Sequence, residues 1–189
     1  MMKKKQKKGK KRTKKQAFFP YVKDLLIACG SVLVVLIIIT AICFKGLRIE
    51  GYGMMPTLRN RDIVVAKRTK TIKRFDLVVL TIGNKQQVRR VVGLPDEIVR
   101  YQNDQLTIDG HPVDEKFIVD EINDSQRGGK AFTEDFISGS GSIPEDYYLV
   151  LGDNRSYATD SRHYGLIAKR NVIGVITMRL LPINDLKRF

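Results

Sequence analysis

The sequence predicts a mostly β domain carried behind a single N-terminal membrane-spanning helix. Three observations carry that prediction. One uncharged apolar run is long enough to cross a bilayer. The rest of the chain breaks into short Val- and Ile-rich segments separated by turn residues. No window of 12 or more residues outside the apolar run has convincing helical periodicity.

Residues 1–24 hold 11 Lys/Arg against one acid, Asp24, whereas residues 25–189 hold 23 Lys/Arg against 19 acids. Most of the +14 net charge is therefore a property of the tail. That distribution argues against nucleic acid as a partner, because the body has an ordinary charge balance. Like charges at the density of KKKQKKGKKRTKK repel and bury nothing, so residues 1–24 are expected to be a disordered basic tail. Leu25 to Phe44 follows, 20 residues without a charge, long enough to span a hydrocarbon core as a helix. A cleaved signal peptide has a shorter apolar region and a small-x-small site after it, and Ala41-Ile42-Cys43-Phe44-Lys45 is a poor site. Residues 25–44 therefore read as an uncleaved signal-anchor. The charge before the span places the tail in the cytoplasm, against anionic lipid headgroups, and residues 45–189 outside.

In the outer domain the expected strands are Gly46–Glu50, Asp62–Lys67, Phe75–Ile82, Gln86–Val92, Ile98–Gln102, Gln105–Ile108, Tyr147–Leu151 and Val172–Leu181. Asn103-Asp104 and Asp109-Gly110 mark tight hairpins between brief strands. Residues 122–146 are rich in Gly, Ser and acids and are expected to form a mobile surface loop. The two cysteines, Cys29 and Cys43, lie in the apolar run, so no disulfide holds the outer domain. The only histidines are His111 and His163, and no metal or cofactor site is expected.

Three segments carry a resemblance. GYGMMPTL at 51–58, VRRVVGLPDE at 88–97 and GDNRSYATDSRHYG at 152–165 resemble, in order and spacing behind the anchor, the motifs of bacterial type I signal peptidases. RDIVVAK at 61–67 resembles a further, weaker segment of that family. The resemblance implies a signal-peptidase-like β-fold on a single transmembrane helix. It also implies a Ser-Lys dyad: a serine attacks the scissile carbonyl, a desolvated neutral lysine takes its proton, and a second serine orients the lysine.

At the position of the nucleophile this chain has Gly53, at the base Arg89, and at the orienting serine Ala158. Glycine has no attacking atom, and arginine stays protonated in proteins. The surroundings match the family pattern more closely. Met54, Met55 and Pro56 follow Gly53 and are expected to line a peptide groove. The resemblance implies scaffold pairs of Arg90 with Asp153 and of Asp160 with Arg162. Asp96-Glu97 departs from the Gly-Asp that the family favours. A relocated catalytic unit would draw on Thr57, Ser156 or Ser161 with Lys67 or Lys85. Arg89 itself reads either as an anchor for backbone carbonyls or a carboxylate, or as a solvated side chain.

These residues lead to the expectation of a non-enzyme, a membrane-anchored homologue that binds extended segments of exported proteins without cutting them. Its missing dyad resembles signal-peptidase-like pilus-assembly proteins of Gram-positive bacteria. That likeness implies pilins and a sortase as partners, alongside membrane lipid and without nucleic acid. An active signal peptidase with unusual catalytic residues is the alternative.

Overall fold

The computed structural model describes residues 14–139 and 141–189, with side chains from residue 23 onward. The chain divides into two units, 1–43 and 44–189. In the first, helix α1 runs from Lys14 to Cys43. Its segment Lys23–Cys43 is 21 residues long and apolar enough to cross a membrane. The tail was expected to stay disordered up to residue 24, yet residues 14–24 continue the helix. Residues 16–22 carry no charge, and extending an existing helix is far cheaper than nucleating one. The expectation for residues 1–13 lies outside the described residues.

The second unit holds β1 (Phe44–Arg48), β2 (Ile63–Lys67), β3 (Leu77–Ile82), β4 (Lys85–Gly93), β5 (Val99–Gln102), β6 (Gln105–Ile108) and β7 (His111–Val113). Helix α2 (Val119–Arg127) follows, then β8 (Phe136–Ile137), β9 (Tyr147–Leu151), α3 (Ser161–Tyr164), β10 (Ile167–Ala168), β11 (Val172–Leu181) and β12 (Lys187–Arg188). The larger sheet runs β1-β2-β11-β3-β4-β9-β10, with β12 paired to β11. The smaller sheet runs β7-β6-β5-β8. The mostly β fold class is the one that the sequence predicts.

Side-chain alternation explains where the cores sit. In β2, Val64 and Ala66 turn inward to a core with Ile49, Met54, Leu58 and Val88. In β3 the first four residues are all buried, because Leu77 and Val79 join that core while Val78 and Leu80 pack on the opposite face against Tyr148, Val150 and Ile167. A continuous apolar run is what a strand covered on both faces requires. A third core, of Val99, Tyr101, Leu106 and Ile143 among others, lies against the smaller sheet. Each fully buried aliphatic side chain of these clusters stabilises the fold by about 1.5–3 kcal/mol.

Two turns fit the residues that make them. Asn103 and Asp104 both have positive φ, 51° and 62°, and join β5 to β6 in the geometry that suits the strands' twist. Asp109 and Gly110, at 50° and 81°, do the same for β6 and β7. Asp104 is buried, and its carboxylate accepts from Thr133 N–H at 2.7 Å and from Gln126 Nε2 at 3.1 Å.

That contact corrects the reading of residues 122–146 as one long loop. The segment includes most of α2 and all of β8, it buries Thr133, Ser138 and Ile143, and β8 pairs with β5. Its polar composition hid these few anchoring residues. Four short strands, β7, β8, β10 and β12, were not foreseen, because two or three residues carry no periodicity.

Candidate functional site

The larger sheet leaves two edges open beside one groove. Among the described residues β1 pairs only with β2. β4 pairs with β3 from Lys85 to Arg90, but with β9 only from Arg90 onward, so Lys85–Arg89 has a free side. Between these edges lies a cavity of about 690 Å³, lined by residues 47–54, 84–89 and 157–159. The Lys45 Nζ donates to Gln86 Oε1 at 3.3 Å and bridges β1 to β4. Tyr52 and Tyr157 meet edge to face at the groove with ring centroids 6.1 Å apart.

Positions 53, 89 and 158 converge on this groove. A Cβ built on Gly53 would lie 3.5 Å from the Cβ of Ala158 and 3.6 Å from Nη1 of Arg89. The Arg89 guanidinium donates from Nε and Nη2 to the Thr159 carbonyl, at 3.0 and 2.7 Å, and from Nη1 to the Val88 carbonyl at 2.6 Å. Arg89 thus holds backbone carbonyls on both walls of the groove. Beside it, burial pushes the Tyr164 phenol up to about 12, against the opposing pull of the Arg89 charge. Tyr164 is therefore neutral at physiological pH and offers Arg89 no counter-charge.

The loop that carries Ala158 is pinned from below. The N–H of Gly152 donates to Asp160 Oδ2 at 2.9 Å. A Cβ on Gly152 would come within 2.2 Å of the Ala158 Cβ and 2.5 Å of the Gly53 carbonyl oxygen, so only glycine permits this approach. Asn154 N–H donates to Gly53 O at 3.1 Å and ties the loop to the Gly53 turn. Asp160 caps α3 and accepts from Arg162 Nε and Nη2, each at 2.8 Å. His163 completes the cap: its Nδ1 accepts from the Asp160 N–H at 3.4 Å.

Below the groove Arg90 meets Asp153 in a bidentate pair, Nε to Oδ1 at 2.8 Å and Nη2 to Oδ2 at 2.5 Å. Arg90 also donates to the Phe75 carbonyl and to Thr57 Oγ1, and it lies 3.8 Å from the centroid of the Phe117 ring. Arg155 reaches the other sheet, donating to Glu115, Tyr101 Oη and Thr133 Oγ1 in a wholly buried cluster. Burial drives the Tyr101 phenol well above its ordinary value. The motif 152–155 therefore fastens the groove to both sheets.

Met54 lines the groove while packing into the core, but Met55 and Pro56 do not line it. The residues named for a relocated unit are not gathered there either. Thr57 Oγ1 accepts from Arg90, the Ser161 hydroxyl accepts from Val150 N–H, and Ser156 lines a separate polar pocket. Lys85 does line the groove and Lys67 does not. Residues that sequence reasoning missed include Arg48, Glu50, Tyr52, Tyr157 and Thr159 on its walls. Only adjacency to positions 53 and 158 pointed to Tyr52, Tyr157 and Thr159, and no motif pointed to Arg48 or Glu50. At the groove, positions 53 and 158 carry no functional side chain and the Arg89 guanidinium is bonded to backbone carbonyls. The departure at Asp96-Glu97 has a local account. Asp96 sits at φ 68°, which favours glycine but which Asp tolerates, and Glu97 accepts from Leu94 N–H and Arg74.

Comparison with known proteins places this geometry. The family model "Signal peptidase, peptidase S26" matches residues 22–181. The chain is 39% identical over 143 residues to signal peptidase I V of Bacillus subtilis (strain 168), covering 71% of this chain and 84% of the relative. It is 32% identical over 183 residues to signal peptidase I of Bacillus amyloliquefaciens, covering 94% and 96%. It is 34% identical over 176 residues to signal peptidase I of Streptococcus pneumoniae serotype 4, covering 77% and 86%. Among solved structures, a signal peptidase I from Enterococcus faecalis V583 superposes with a TM-score of 0.52 at 31% identity, over 57% of this chain and 97% of that one. These relatives bear the names of peptidases, which overturns the expectation that the chain stands outside the enzymes. With the match running from the apolar helix to the end of β11, the chain belongs to the signal peptidase, peptidase S26 family.

Proposed function

We propose that the chain is a membrane-anchored protein that takes up an extended segment of an exported protein as an added strand between β1 and β4. One observation carries this reading: two unpaired strand edges, β1 and the start of β4, face a single groove, and the Lys45–Gln86 side-chain contact links them. An added strand gains main-chain hydrogen bonds from the edges, and its alternate side chains enter the walls. The names of the relatives bring signal peptides into this reading as the first class of segment. α1 anchors the groove at the membrane with the basic tail in the cytoplasm, in keeping with the charge asymmetry across the span.

A narrower assignment rests on the absence of a Ser-Lys dyad at positions 53 and 89, in which the chain resembles signal-peptidase-like pilus-assembly proteins: pilin segments, presented beside a sortase. A photo-crosslinking residue at Gln86 in living cells tests both levels. The expected products are exported proteins joined near their signal segments, with pilins prominent among them. Crosslinks to cytoplasmic proteins alone would contradict the topology and the function together. Protease added to intact protoplasts should remove residues 45–189 and spare the tail.

A further inference from the structure

The groove carries charges that no carboxylate of its scaffold balances. Arg48, Lys85 and Arg89 line it against a single acid, Glu50. Among the described residues none of the three cations pairs with a carboxylate, whereas Arg90, Arg155, Arg162 and Arg179 each do. Arg89 spends three of its five N–H groups on the Thr159 and Val88 carbonyls and keeps one on Nη1 and one on Nη2.

The strands fix the direction of these charges. Leu47 and Val88 pack into the core beneath the groove. Side chains alternate along a strand, so Arg48, next to Leu47, and Lys85, Gln87 and Arg89, in step with one another, share the opposite face. A strand laid between β1 and β4 would turn every second side chain to that face. There it would meet Arg48 on one side and Lys85 and Arg89 on the other, with Cβ atoms about 4.5–5.5 Å apart across each pair. Directly opposed unlike charges stabilise a strand pair and like charges destabilise it.

We propose that the groove selects an extended segment in which acidic side chains alternate with small or apolar ones. The acids face Arg48, Lys85 and Arg89, and the others face Met54 and Val88. This inference rests on the strand-addition reading and specifies its ligand.

Fluorescence anisotropy with the full-length protein in neutral detergent tests it, using three labelled octapeptides: alternating Val-Glu, Val-Gln and Val-Lys. The Glu peptide is expected to bind roughly tenfold more tightly than the Gln peptide, as three cross-strand charge pairs would give. The Lys peptide should bind more weakly than both. Raising the salt should shrink the Glu preference, because the pairs are solvent-exposed. Arg89→Gln and, separately, Lys85→Gln should each lower the preference about twofold, one pair's share of the roughly tenfold total. Lys85 is exposed and among the described residues its side chain makes no hydrogen bond or ion pair, so its variant tests the idea even where Arg89→Gln disturbs the loop. Equal binding of the Glu and Gln peptides would overturn the charge selection and leave strand addition standing. A Glu preference that survives both substitutions would place the selecting charges elsewhere and also overturn it. Failure of all three peptides to bind would overturn strand addition itself.

Discussion

Replacing Arg90 by methionine keeps a stem of similar length and removes the guanidinium. In the native fold Asp153 is fully buried and receives both of its side-chain hydrogen bonds from Arg90. The substitution leaves that carboxylate uncompensated and strips donors from the Phe75 carbonyl and Thr57 Oγ1. Breaking a buried ion pair from one side costs roughly 3–5 kcal/mol. A domain of this size has about 5–15 kcal/mol in all and loses about 2–4 °C per kcal/mol, so the melting temperature should fall by roughly 6–20 °C. Thermal and urea unfolding of the full-length protein in neutral detergent, followed by tyrosine fluorescence, measures the change. Adding Asp153→Leu should recover part of the loss, because the orphaned charge is the main cost. A loss below about 1 kcal/mol for Arg90→Met would refute the view that this pair holds the groove's floor.

Other outcomes follow from the same contacts. Tyr101 holds its proton in the fold well above the ordinary tyrosine value, so the unfolded chain ionises first as pH rises past about 10 and stability should fall from there upward. Melting curves between pH 8 and 11 should show that fall, and Tyr101→Phe should flatten it. Gly152→Ala forces a methyl into the Ala158 Cβ and the Gly53 carbonyl, and it should cost at least about 1–3 kcal/mol and weaken peptide binding in the same titration. The triple change Gly53→Ser, Arg89→Lys and Ala158→Ser should raise cleavage of a signal-peptide substrate above that of the native chain, since a Cβ at position 53 meets only ordinary contacts. Each single change should leave the native rate unaltered, because nucleophile and base act as a unit.

Much of the fold was legible because its strands obey simple periodicities. Gln105–Ile108, Tyr147–Leu151 and Val172–Leu181 stand where their short, turn-bounded apolar runs put them. The Asn103-Asp104 and Asp109-Gly110 turns stand where their tolerance of positive φ put them. What stayed hidden was decided by distant contacts. Thr133 looks like a loop residue until Asp104 and Arg155 claim it, and Ile143 is a lone aliphatic in a Gly/Ser stretch until the second core buries it. The site divides in the same way. Local motifs located Gly53, Arg89 and Ala158, but the groove's outer walls come from strand β1 and the start of β4, which carry no motif. Arg48 therefore became visible, and Lys85 could be told from Lys67, only once the sheet brought those strands to one groove. Met55 and Pro56 lie outside the groove's lining although Gly53 and Met54, in the same turn, belong to it, so adjacency in sequence did not place all four on one side.

Amide hydrogen exchange tests strand addition most directly. The full-length protein in neutral detergent would be labelled with and without a saturating synthetic signal-peptide segment, and exchange followed by mass spectrometry. The account predicts slower exchange in Phe44–Arg48 and in Lys85–Arg89, the two unpaired edges, with the β5–β6–β7 meander unchanged. Protection confined to the smaller sheet, or no protection of either edge under saturation, would contradict it.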